Sequence, residues 1–337
     1  MLARGAATLA VLAMTWALTP ALAQMSRQLQ ACDFSQDNDL NKDRQLKNCA
    51  TLLASPKAPV EERASAASQI GQLRVYRYEN PMDGQKANPA ELDLAMTAYN
   101  EAIRLQPEMS FYYKYRAELW RIKGDLDRAI EDLTQQIRLN PKRHQAHQER
   151  GNVCRAKGDY DCAIADYSGM IKLASFFWEG YLNRGQAHFM KGDFAAAVTD
   201  LERANRNLRG HTMLWLYLAR ARSGADGKPG LLADLERMAS EDWPFQVMDF
   251  YLDRRPLSKV LTGQGVNTIF NVDPKIRCQA QFYIGQWHLI RGEKREAEVA
   301  LRDAVLPTCP RELFIKAGIR FDAVEYDAAA AELKRLR

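Results

Sequence analysis

Residues recur at an interval of 34 along the middle of the chain, and this restricts the fold more tightly than any other feature. Gly124, Gly158 and Gly192 are in phase, as are Ala129, Ala163 and Ala197, and Ala117, Gly151 and Gly185. Tyr113, His147 and Tyr181 keep the same interval, and so do Leu133, Tyr167 and Leu201. The tripeptide Lys-Gly-Asp occurs at 123–125, 157–159 and 191–193, and Ala95, Tyr99 and Pro107 extend the register back one unit. Within a unit, 111–123 has helical apolar spacing, Gly124-Asp125 makes a tight turn, and 126–139 resumes helical spacing up to Pro141. The small residues let two antiparallel helices approach closely, while Tyr113, Trp120, Leu133 and Tyr167 fill the space between units. One such hairpin cannot bury its apolar face alone, so the units must stack.

The columns resemble the tetratricopeptide repeat (TPR), whose 34-residue pattern runs Trp-x2-Leu-Gly-x2-Tyr, then Ala-x3-Phe, then Pro. The Trp slot holds Tyr113, His147 and Tyr181; the Gly slot holds Ala117, Gly151 and Gly185; the Tyr slot holds Trp120, Cys154 and His188. The Leu slot departs, with Arg116, Arg150 and Arg184. The resemblance implies an all-α fold, a right-handed α-solenoid of antiparallel helix hairpins.

Composition agrees with a packed chain. It is 47% hydrophobic and 26% charged, which excludes general disorder. The formal charge of +5 is spread along the chain, without the basic stripe that marks nucleic-acid binding. Arg4, the apolar stretch 6–18, Pro20 and Ala21-Leu22-Ala23 read as a signal peptide with cleavage after Ala23. No apolar run long enough for a transmembrane segment follows. Gln24 stands where a lipoprotein would carry its acylated Cys, and the first Cys, Cys32, lies further on. The expected location is the periplasm.

The expected organisation is a signal peptide (1–23), an N-terminal half-repeat segment (24–60), a split repeat (61–107), and three TPRs (110–141, 144–175, 178–208). A divergent helical region (211–275), a TPR-like repeat (278–310) and C-terminal capping helices (311–337) follow. The span from 210 to 306, with Leu214-Trp215-Leu216-Tyr217-Leu218-Ala219, Trp243-Pro244 and Gln281-Phe282-Tyr283-Ile284-Gly285, resembles the new-lipoprotein-I family of envelope TPR adaptors. Those proteins bring peptidoglycan hydrolases to a periplasmic protease, and the resemblance implies a homodimer.

Six cysteines in an exported chain point to disulfides, and sequence alone allows 15 pairings. Helical hairpins favour Cys154 with Cys162 across the Gly158 turn and Cys278 with Cys309 at the ends of the last repeat, which leaves Cys32 and Cys49. His144 and His147 share a helix face, but His147, His188 and His288 fall in packing slots, so no metal is expected. Asp33 to Asp43 is calcium-like in charge only, without the loop's Gly and terminal Glu. No phosphate loop, nucleophile elbow or zinc-protease helix occurs, so neither catalysis nor a cofactor is expected.

Resemblance to TPR arrays implies that first helices line a concave groove that takes a protein or peptide. Its expected lining is Phe111, Lys114, Glu118 and Arg121, then Gln145, Gln148, Asn152 and Arg155, then Leu182, Gln186 and Phe189, with Glu179 beside them. Arg121 and Arg155, one repeat apart, are expected to grip successive carboxylates of a ligand. Neither occupies a packing slot, so their loss is expected to weaken binding and leave stability nearly unchanged. The dicarboxylate clamp of chaperone-binding TPR proteins is disfavoured, because Glu118 and Glu149 replace its Asn residues. The expected function is a non-enzymatic envelope adaptor or scaffold. The alternatives are a structural assembly factor and an enzyme using the divergent 225–275 region.

Overall fold

The computed structural model describes residues 32, 42–81, 87–205, 210–237, 244–256, 274–306, 309 and 324–337. Among them are fifteen α-helices and no strand. The signal-peptide reading, most of the acidic segment 33–43, all of 257–273 and the first part of the expected capping helices (311–323) lie outside the described residues. The chain divides into two compact units, one ending at Tyr112 and one starting at Tyr113.

In the first unit, α1 (Lys42–Ala54) packs on α2 (Val60–Glu79), and α2 pairs with α3 (Ala90–Leu105). Gly71 is where α2 meets α3 most closely. A Cβ there would lie 2.4 Å from the Tyr99 ring, so the ring in the repeat's second helix demands glycine opposite it. Cys32 and Cys49 are joined, with Leu46, Leu52 and Leu73 packed about them.

The repeat helices follow in order. They are α4 (Ser110–Ile122), α5 (Leu126–Leu139), α6 (His144–Lys157), α7 (Tyr160–Leu173), α8 (Trp178–Lys191) and α9 (Phe194–Ala204). Each Lys-Gly-Asp does two jobs. The glycine adopts positive φ (+80° to +94° at 124, 158 and 192), which costs an L side chain strain but suits a helix end. The aspartate after it caps the next helix, its side chain accepting from the backbone N–H of Arg128, Cys162 and Ala196 in turn. The period of 34 is therefore a period of helix stops and starts.

A second set of columns explains the arginines in the leucine slot. Arg116, Arg150 and Arg184 each make two hydrogen bonds to a carboxylate sixteen residues on: Asp132 at 2.7 and 2.9 Å, Asp166 at 2.8 and 2.8 Å, and Asp200 at 2.7 and 2.7 Å. The three aspartates are buried. Arg150 also donates to Thr134 Oγ1 and Arg184 to Ser168 Oγ, both at 3.0 Å, tying each hairpin to the preceding one. Lys157 to Asp127 (2.5 Å) and Lys191 to Asp161 (2.6 Å) repeat the link at the surface. A planar guanidinium matches a carboxylate bidentately, so this ladder fixes helix register inside and between repeats where leucine would supply only apolar area.

Beyond the repeats come α10 (Gly210–Arg222), α11 (Lys228–Glu236), α12 (Phe245–Tyr251), α13 (Pro274–Ile290), α14 (Lys294–Ala304) and α15 (Val324–Leu336). In the divergent region α11 starts at Lys228 with Pro229 in its first turn, where proline lacks only an N–H that has no helical partner anyway. The core here centres on Trp215, fully buried, edge-on to Phe189 at 5.2 Å and tilted against Phe282 at 5.4 Å. Disulfides join Cys154 to Cys162 and Cys278 to Cys309.

Candidate functional site

The first helices of successive hairpins in the second unit, α6, α8, α10 and α13, share one occupant: α15. Glu325 of α15 meets Tyr283 Oη (3.1 Å) and Gln279 Nε2 (3.4 Å) of α13, with His211 Nδ1 of α10 at 3.8 Å. Asp327 accepts from Arg155 Nη1 of α6 at 2.8 Å. Two turns after Glu325, Glu332 accepts from Arg222 Nη1 of α10 (2.6 Å) and Gln286 Nε2 of α13 (3.3 Å). The order of these pairs makes α15 run parallel to α10 and α13. Between the carboxylates, Ala328, Ala329 and Ala331 are buried.

The far end of α15 lies against the ends of two other helices. Arg335 Nη1 donates to the Phe189 carbonyl at 3.3 Å, near the C-terminus of α8. Lys334 Nζ lies 3.6 Å from where a Cβ on Gly158, beyond the C-terminus of α6, would be. Cations at those positions complement the partial negative charge of a helix C-terminus. Acidic groups on one part of α15 and basic groups on another thus find opposite charge in the same groove.

This overturns part of the expected lining. Arg155, Gln186 and Phe189 are 2%, 5% and 0% exposed, and Leu182 packs against the core, so these four do not wait in an open groove. Arg155 is held by the chain's own Asp327, and it does occupy a packed position. Arg121 pairs with Glu118 on its own helix. Lys114 is bonded to Glu149 at 2.8 Å, and Asn152 accepts from the Tyr167 hydroxyl at 2.7 Å. Gln145 is exposed, Gln148 and Glu179 are half-buried, and Phe111 is 36% exposed at the end of the first unit. Sequence reasoning missed Glu325, Asp327, Glu332, Arg222 and His211. The buried carboxylates in an alanine run were visible in the sequence, but nothing periodic ties them to residues 155 and 222.

The histidines have structural partners. His147 Nδ1 lies 3.0 Å from Asp166 Oδ1, and His144 stacks on Phe177 with centroids 4.7 Å apart. Among the described residues, one cluster could offer three metal-ligand atoms, Cys154, Cys162 and Asp166, but its two sulfurs are bonded to each other. No helix among the described residues is long and apolar enough to cross a membrane.

Burial pushes the Glu325 carboxyl up, but His211, the helix backbone and Gln279 outweigh it and hold the group below its ordinary value of 4.5. A carboxyl lowered on folding stabilises the folded form above the ordinary carboxylate range, and this contribution is lost as pH falls through the lowered value. Amide protection across 324–337 should therefore fall as pH drops below about 4.5, before that of α6 to α9 does. Hydrogen exchange followed down an acid titration and corrected for intrinsic rates checks this, and loss of protection in both regions at the same pH contradicts it.

The tetratricopeptide-repeat family model matches residues 123–176 and 149–212. Among solved structures, a tetratricopeptide repeat protein from Parabacteroides merdae is similar over 91% of this chain and 99% of its own, with 13% identity and a TM-score of 0.52. The C-terminal part of a TPR repeat-containing protein from Cytophaga hutchinsonii matches 88% of this chain and 98% of its own, at 14% identity and a TM-score of 0.49. At these identities the likeness concerns the fold alone. No protein of curated function matches the sequence.

Proposed function

We propose that this chain, whose residues 123–212 match the tetratricopeptide-repeat family model, is a non-enzymatic scaffold or adaptor of the cell envelope, working in the periplasm. TPR proteins mediate protein–protein interactions, and the groove occupied by α15 carries the reading for this chain. Three first helices, α6, α10 and α13, present arginine, histidine, tyrosine and glutamine groups that receive a helix by charge and shape, one of the general modes of peptide recognition. The three disulfides suit an oxidising compartment, and with Cys32 bonded to Cys49 no thiol is left there for acylation. Likeness of 210–306 to envelope TPR adaptors supports substrates of a protease or peptidoglycan-remodelling enzymes as the proteins brought together.

A photo-reactive amino acid at Gln145, exposed on first helix α6, tests the reading in the native cell. The expected result is a small set of discrete adducts recovered with the periplasmic fraction, absent when the same probe replaces Glu131, exposed on second helix α5. Adducts at both positions alike, or at neither, refute it.

A further inference from the structure

The interface between α15 and the groove is built differently from the hairpin interfaces. Second helices α7, α9 and α14 are anchored by Tyr167, Leu201 and Leu301, all fully buried. The buried face of α15 instead carries Glu325, Asp327 and Glu332, each at most 6% exposed, with Ala328, Ala329 and Ala331 among them, and larger apolar groups, Val324, Leu333 and Leu336, only towards its two ends. Alanine brings little apolar area. Ion pairs taken out of water gain little net stability, because desolvation offsets their attraction, yet they punish a wrong or missing partner severely. The interface is therefore selective without being strong.

We propose that α15 is an exchangeable occupant, and that the groove of α6, α8, α10 and α13 is a binding site for an acidic, alanine-rich helix of another protein. Such a helix presents carboxylates in the order of Glu325, Asp327 and Glu332, at relative positions 0, +2 and +7, with small residues at +3, +4 and +6. Arg155 takes the second carboxylate, Arg222 and Gln286 the third, and His211, Gln279 and Tyr283 the first. Tethered to the same chain, α15 competes at an effective concentration of about millimolar. A partner helix must therefore match its pattern, and a merely acidic segment is rejected because it does not bring carboxylates to both the buried Arg155 and the half-buried Arg222. This inference rests on reading the groove as a protein-binding surface.

The probe is a fluorescent peptide of residues 324–337, titrated into the full-length protein. The wild-type chain should bind it weakly, since its own helix competes. The variant Asp327→Ala/Glu332→Ala, altered only in the tethered helix, should bind it at least tenfold more tightly, because the receptor residues are untouched. Adding Arg155→Ala and Arg222→Ala should abolish that gain. Equal affinity of wild type and the α15 variant, or binding by neither, overturns the proposal. A second measurement needs no variant: in the wild-type chain, amides of α15 should exchange at least 100-fold faster than those of α8. Exchange of both at one common rate makes α15 a permanent part of the fold and likewise overturns exchange. The adaptor reading would survive that result if the adducts at Gln145 are found, so the two failures are separable.

Discussion

Replacing Arg155 with Ala is expected to weaken the docking of α15 by about 3–5 kcal/mol, the usual cost of stripping the partner from a buried charge. Asp327 is 6% exposed and takes a hydrogen bond from Arg155 Nη1 at 2.8 Å, so loss of the guanidinium removes the cation that offsets its buried charge. The cheapest relief is release of α15. Amide protection over 324–337 should then fall by about two to three orders of magnitude, with α6 to α9 nearly unchanged. The double variant Arg155→Ala/Asp327→Ala should recover much of the loss, because no unpaired charge is left behind. A single variant whose α15 stays protected would return Arg155 to the role of an open groove arginine.

The parts of this fold that were legible in the sequence are those that depend on neighbours in the chain. Gly158 and Asp159 announce a helix stop and a helix cap within two residues, and they sit in the same relation in three consecutive units. Gly151 faces the Tyr167 ring so closely that a Cβ would come within 2.8 Å of it, which is why a small residue recurs in that column. Disulfides between hairpin ends follow from the same local geometry. The arginine–aspartate ladder left a signal too, since positions 116, 150 and 184 and positions 132, 166 and 200 keep the 34-residue interval; only the pairing had to be seen. The groove's contents were not legible. Arg155 and Asp327 are 172 residues apart and Arg222 and Glu332 are 110 apart, outside any repeat, so no spacing connects them. The same residue that looks like a free cation on a helix face becomes a buried one when a distant segment of chain folds over it.

Phe189 provides the sharpest contrast between the two environments. Seen along its helix it is an apolar residue on the groove face, and its removal would then weaken a ligand and leave the fold alone. In the structure it is fully buried, edge-on to Phe194 at 5.1 Å and to Trp215 at 5.2 Å, and its carbonyl accepts from Arg335. The Arg222 guanidinium lies 6.0 Å from its ring centroid. Phe189 thus stands at the point where repeat core, divergent core and α15 meet. Phe189→Ala is expected to cost about 3–5 kcal/mol, combining lost transfer energy with the cavity left among rigid rings. Phe189→Leu, which keeps most of the volume, should cost less than half of that. Urea denaturation followed by tryptophan fluorescence measures both, because Trp215 borders the cavity. The loss should appear in the transition midpoint with little change in slope. If Phe189→Ala unfolds at the wild-type midpoint, the residue is not the junction of these packed surfaces and belongs to the groove as an exposed contact.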